Sequence, residues 1–194
     1  HAKARGLQYA CTAYIPGDPT LLAPFVDYLK LSSFEAFDQG LRAEVRGPMI
    51  ISIGMASEQE AKEIALYLGG GDYLLACTSA YPASLDSLNL EYLRRMAAPS
   101  DDPSGRFSCG IGFSDHSHDV RVGAWAVAAG ASILETHVRL NHCNPANKDY
   151  AVSFTPAEFA EYVANIRDAE SALGDEVRRV QECEKSMLPF RVKS

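Results

Sequence analysis

The chain has 194 residues, 47% apolar and 22% charged, the balance of one soluble domain with a sizeable core. Whole-chain disorder, collagen and a disulfide-stapled miniprotein are thereby excluded. Eighteen Lys and Arg against 25 Asp and Glu leave a formal charge of −7, which argues against a broad nucleic-acid or anionic-membrane footprint but leaves room for a local cationic pocket.

The first strand expected is 7–15 (LQYACTAYI), followed after GDPT by a helix over LLAPFV that Asp18 or Thr20 would cap. Further strand runs are 27–32 (DYLKLS), 48–53 (PMIISI), 72–78 (DYLLACT), 107–114 (FSCGIGFS) and 131–140 (ASILETHVRL). The helix at 57–69 carries a capping box, Ser57 with Glu60, and others are expected at 87–98 and 119–131. The longest helix runs from Thr155 or Pro156 to Leu173, with Glu158 closing a second capping box and Gly174 stopping it. Segments 99–106 and 141–150 read as loops, and 175–194 as a tail or linker after a domain spanning 1–174.

Repeated strand–helix pairs mean α/β, with right-handed crossovers leaving a doubly wound sheet or a barrel. Neither GxGxxG nor GxxxxGK[ST] occurs, and Gly69–Gly71 sits before a strand, as an αβ turn does. Polar residues mark the carboxyl ends of successive strands: Thr12, Lys30 with Ser33, Ser52, Thr78 with Ser79, Ser114 with Asp115 and His116, then His137. Such a ring is the address of a (β/α)8 active site, whereas a doubly wound sheet gathers its groups at one switch point. A (β/α)8 TIM barrel is the fold expected, yet six strands do not close one.

SDHSHD at 114–119 is the strongest local signal. If extended backbone persists, His116 and His118 face one way, a spacing able to bind a first-row metal, with His137 as a further ligand. Asp115 would touch the metal or orient a histidine. The competing reading is a hydrogen-bonded histidine at a strand end, and for His118 a turn that throws it out to solvent. A buried ammonium is costly unless paired, so Lys30, between Leu29 and Leu31, either faces a polar lumen and an anion or snorkels from the strand end. Tyr81 would wall a pocket or pack on the helix layer; Glu135 shares a side with His137, as a ligand or a base; Asp149 would receive a substrate hydroxyl or lie in solvent.

The five cysteines (11, 77, 109, 143, 183) form no CxxC pair. A reducing, cytoplasmic setting is expected, with Cys11, Cys77 and Cys109 as buried thiols. No run approaches the ~18 apolar residues of a spanning helix.

Five stretches together resemble the sialic acid synthase family: ISIGMAS (51–57), LLACTSAYPAS (74–84), GIGFSDHSHD (110–119), GASILETHVRL (130–140) and KDYAVSFTPAEFAEYVANIRDAESALG (148–174). The resemblance implies a (β/α)8 barrel that condenses phosphoenolpyruvate with an N-acetylated amino-sugar aldehyde, helped by a divalent metal such as Mn, Mg or another first-row ion. It places metal ligation on His116 and His137, and phosphoenolpyruvate on Thr12, Lys30, Ser33, Ser52 and Ser114. The acceptor sugar falls to Tyr81 and Asp149, and to Ser79 where the family usually has asparagine. Lys30, Ser79, Tyr81 and Asp149 are the catalytic candidates.

Further departures are Ile53 for threonine, Ala76 for histidine, Thr136 for lysine and an extra imidazole at His118. By the same resemblance the six strands are strands three to eight. The first strand with its glutamate, the second with Lys-Phe-Gln and the antifreeze-like domain have no counterpart here. Three explanations are open: a split enzyme completed by another chain, a trimmed product, or a standalone degenerate domain. A higher oligomer is expected. The alternatives in function are a non-catalytic partner subunit, and a synthase acting on a phosphorylated sugar. The latter needs an additional basic group, for which Arg121 and Arg139 are the only nearby candidates.

Overall fold

A computed structural model describes residues 2–98 and 107–192; the loop expected at 99–106 lies outside the described residues. Six strands form one parallel sheet: β1 (Ala10–Thr12), β2 (Tyr28–Leu31), β3 (Met49–Ser52), β4 (Tyr73–Cys77), β5 (Gly110–Asp115) and β6 (Ile133–Thr136). Their order in the sheet is their order in the chain, every neighbour parallel. Each crossover therefore steps the same way, which coils a sheet toward a barrel, where a doubly wound sheet would reverse direction. β1 and β6 each have one neighbour. The result is an incomplete, half-open α/β barrel. The strands are shorter than their apolar runs because pairing stops where the backbone turns toward the helices.

Two aspartates set the amino ends. Asp27 accepts from the Tyr9 N–H (2.8 Å), tying β1 to β2, and Asp72 accepts from Met49 (2.9 Å) and Gly69 (2.8 Å), tying β3 to β4. They pair backbone N–H groups that the sheet leaves free.

Alternation divides the strands between two faces. Leu29, Leu31, Ile51, Leu74, Ile111 and Phe113 pack outward into the main core with helix residues Ala61, Ile64, Leu93, Val122 and Ala126. The inner face holds Ile50 and Leu75, both buried, with Gly110 and Gly112. A Cβ on Gly112 would stand 2.5 Å from the Ile133 carbonyl oxygen and 2.5 Å from Leu75 Cδ2, so this layer is closed tightly enough to demand glycine.

The helices are α1 (Asp18–Leu22), α2 (Gln39–Glu44), α3 (Glu58–Ala65), α4 (Leu90–Ala97), α5 (Val122–Ala128) and α6 (Pro156–Leu173). Both capping boxes form, Ser57 with Glu60 and Thr155 with Glu158. The cap expected on α1 does not: Gly17 stands there, and Asp18, inside the helix, accepts from Tyr14 (2.8 Å) and Ile15 (3.2 Å). α2, not foreseen, is capped by Asp38, which accepts from Leu41. A Cβ on Gly123 would come within 2.5 Å of the Tyr162 ring, so α5 and α6 approach closely there. Residues Glu182–Phe190, in the segment read as a tail or linker, form an exposed 3-10 helix. Among the described residues no helix is long and apolar enough to cross a membrane.

Candidate functional site

The carboxyl ends of the strands gather polar groups on the inner face. Lys30, one residue before the end of β2, is 7% exposed; its Nζ donates to Ser52 Oγ (2.8 Å) and to the Leu31 carbonyl (3.1 Å), with Glu135 Oε2 at 3.5 Å. That carboxylate is half-exposed at the sheet edge, so the buried ammonium has one partly solvated counter-charge. Glu135 also accepts from Ser114 Oγ (2.8 Å), itself 3.4 Å from His116 Nε2. The register explains the chain of contacts, since Cys77, Ser114 and Glu135 are successive partners across β4, β5 and β6.

His116, 4% exposed, has Nδ1 2.8 Å from the Thr78 carbonyl. A carbonyl only accepts, so Nδ1 carries the proton and Nε2 keeps its lone pair toward the lumen. Burial holds the imidazole below its ordinary range, and neighbouring His137 pushes it the same way. The two rings are 5.3 Å apart; Tyr81 packs 4.3 Å from His116 and 6.1 Å from His137. Asp149 Oδ2 lies 4.0 Å from His137 Nδ1.

A second cluster surrounds Gly54. Its N–H donates to Ser33 Oγ (2.9 Å), which is 3.2 Å from Cys77 Sγ. Ser79 Oγ is buried with no partner among the described residues, and a Cβ on Gly54 would meet it at 2.1 Å. Thr12 is the register partner of Lys30 and makes no side-chain hydrogen bond among the described residues.

Some expectations fail. His118 does not share a face with His116, because β5 ends at Asp115, the chain bends at Ser117 and His118 itself takes a φ of 57°. It packs 5.2 Å from Phe154, with Nε2 3.6 Å from Glu158. Asp115 reaches neither histidine. It is buried on the helix side, accepts from the Ser117 N–H (2.8 Å) and hydroxyl (2.6 Å), and is pushed up by burial. Thr78 leaves the ring of hydroxyls to donate to the Ser87 carbonyl (2.7 Å). Cys11, Cys77 and Cys109 are half-buried rather than buried, and all five thiols are free. Glu135, an acidic candidate through its alternation with His137, stands in the site; Cys77 has no such signal in the sequence.

His116 and His137 are a fitting pair of donors for a divalent cation. One imidazole is oriented by a backbone carbonyl and held neutral by burial, as such ligands usually are. Among the described residues no cluster of three or more His, Cys, Asp or Glu is arranged to hold a metal.

A half-open parallel barrel with a buried lysine and a histidine pair at its carboxyl ends defines the active-site end of a (β/α)-barrel protein. The chain belongs to the NeuB family, which matches residues 1–178. It is 35% identical over 152 residues to the N,N'-diacetyllegionaminic acid synthase of Legionella pneumophila, covering 74% of this chain and 40% of that protein. It is 34% identical over 140 residues to the human N-acetylneuraminate-9-phosphate synthase, covering 71% and 37%. The chain thus spans less than half the length of these curated relatives. In fold it resembles the N-acetylneuraminic acid (sialic acid) synthetase of Leptospira borgpetersenii, solved in complex with citrate. There the TM-score is 0.83 and the identity 23%, over 97% of this chain and 66% of that one.

Three of the departures lie away from the lumen. Ile53 and Ala76 are part of the outward core, and Thr136 pairs with outward-facing Asp115. Of the four replaced residues, leaving the extra His118 aside, Ser79 alone stands in the site.

Proposed function

We propose that these residues are the larger part of the active site of a synthase joining phosphoenolpyruvate to an N-acetylated amino-sugar aldehyde, with release of phosphate. The observation that carries the reading is the buried Lys30 ammonium, donating to Ser52 and linked through Glu135 and Ser114 to the neutral His116 beside His137. In this reading Lys30, with Ser33, Ser52, Ser114 and Thr12, binds the phosphate and carboxylate of phosphoenolpyruvate. Tyr81 walls the acceptor, Ser79 supplies its unpartnered hydroxyl, and Asp149 takes a sugar hydroxyl. His116 and His137 would hold a divalent cation, which when bound draws electrons from a carbonyl oxygen.

The residues' work is chiefly positioning. Lys30 and the serines hold the enol carbon against the aldehyde, where orientation removes much of the barrier. The new bond joins the methylene carbon of the enol to the aldehyde carbon, and the aldehyde oxygen takes a proton to become a hydroxyl. Water then adds at the neighbouring carbon that carries the phosphate ester; the C–O bond of that ester breaks, and phosphate leaves with the second proton of the water as the carbon becomes a ketone. Glu135, bonded by Ser114 and beside Lys30, orients both.

Closure belongs to the same proposal. β1 and β6 have one neighbour each, and Leu7, Tyr9, Tyr14 and Ile15 are exposed near β1 at 47–64%. Unpaired edges with apolar flanks invite further strands. We assign these to strands one and two of the barrel, on another chain or segment, with this chain supplying strands three to eight. The five free thiols suit a cytoplasmic setting.

The experiment is to incubate the closed barrel with phosphoenolpyruvate, an N-acetylated amino sugar and Mn2+, following product mass and phosphate. One phosphate released per sugar consumed is the expected result. Phosphate release independent of sugar, or no condensation with any such sugar, overturns the reading.

A further inference from the structure

Beyond His137 the carboxyl end of β6 opens into a cavity of about 330 Å3, lined by His137, Arg139, His142, Asp149, Tyr150 and Ser153 among others. The backbone stays extended there: Val138 bridges Phe154, with Phe154 N–H donating to His137 (2.9 Å) and Arg139 N–H to Phe154 (2.8 Å). Arg139 therefore repeats the face of His137, about 7 Å further along.

Its guanidinium is held in two ways. Nε donates to the Ser153 carbonyl (3.1 Å), and the plane lies 4.2 Å from the centre of the Tyr150 ring. Ser153 is fixed in turn, its hydroxyl donating to the Asp149 carbonyl (2.7 Å). With Nε engaged, the two terminal nitrogens remain as a fork, the shape that takes a phosphate or carboxylate through two hydrogen bonds. Among the described residues Arg139 makes no salt bridge; the cavity's acid, Asp149, sides with His137 at 4.0 Å. The other basic candidate, Arg121, is clamped by Asp119 through two bonds (2.9 and 2.6 Å) and lies over Trp125.

We propose that Arg139 is a specificity-determining residue that binds an anionic group at the far end of the acceptor sugar. The inference rests on the synthase reading above and deepens it. The acceptor's carbonyl would lie near His137 and a terminal phosphate or carboxylate near Arg139, a separation an extended six-carbon aldehyde spans. His142, on the same wall, adds a second donor beside the anion.

The test compares three acceptors: an N-acetylated amino hexose, its terminal phosphate ester and its terminal carboxylic acid. Wild-type protein is expected to favour at least one anionic acceptor over the neutral one by tenfold or more in kcat/KM, about 1.4 kcal/mol, and Arg139→Gln to lose that preference. The two anionic arms tell phosphate from carboxylate. A wild-type preference for the neutral sugar, or a preference that survives Arg139→Gln, overturns the proposal. Calorimetric titration with inorganic phosphate, phosphoenolpyruvate being saturating, distinguishes this failure from that of the synthase reading. Even with no condensation, wild type should bind phosphate at least tenfold more tightly than Arg139→Gln; equal affinities overturn the assignment.

Discussion

Lys30, Ser52 and Ser114 stand on strands flanked on both sides, whereas His137 stands just past β6, which has one neighbour. The difference runs through packing. All four residues of β3 and five of six in β5 are buried, while all four of β6 are only half-buried. It runs through polar chemistry as well. Lys30, Ser52, Ser114 and Glu135 are joined by short polar contacts, whereas the side chains of His137, Tyr81 and Asp149 meet one another only at 4 Å or more. One wall is packed between neighbouring strands; the other lies open at the sheet edge.

Packing offers the largest effect by which to break this comparison. Phe113→Ala, at a fully buried site on β5, should remove about 3–5 kcal/mol in chemical denaturation. Ile133→Ala on β6 should remove no more than about half of that, in proportion to its partial burial. Equal losses would mean that the edge is as enclosed as the centre.

The glycines sharpen it on a smaller scale. Gly112→Ala drives a methyl against the Ile133 backbone and Leu75 and should destabilise by about 1–3 kcal/mol. Gly54→Ala meets first the ends of the Ser79, Cys77 and Ser33 side chains, which rotate, so thermal unfolding should report a smaller loss.

Behind the histidine wall, Thr155→Ala removes the cap of α6 and should lower stability by about 1 kcal/mol. Glu158 in that capping box is held below the usual carboxylate range, first by the Thr155 backbone N–H and then by its hydroxyl. Its contribution is therefore present at neutral pH and lost as pH falls through the depressed pKa. Glu158→Gln should flatten that acid limb in a pH series of melting curves.

The six strands were legible because each is a short apolar run bounded by turn residues, and both capping boxes because their spacing is local. α2 escaped notice: six residues with Gly40 inside and few apolar positions give no period to read. Alternation foretold Glu135 beside His137, but it overreached at His118, which lies on left-handed backbone past the end of β5. The thiol of Cys77 was read as core because residue type alone does not say which face of a strand it occupies. Only the register with Ser114 and Glu135 brings it into the lumen. Arg139 and Arg121 look equivalent in sequence; the Asp119 clamp separates them.

The division of labour between the two walls is tested most directly by titrating phosphoenolpyruvate into Lys30→Met and His137→Ala proteins by calorimetry, with bound metal measured by elemental analysis. Lys30→Met should bind phosphoenolpyruvate more than tenfold more weakly, about 1.4 kcal/mol, and keep its metal. His137→Ala should lose the metal and keep an affinity for phosphoenolpyruvate close to wild type. Unchanged binding in Lys30→Met, or an equal loss in both variants, would contradict the account.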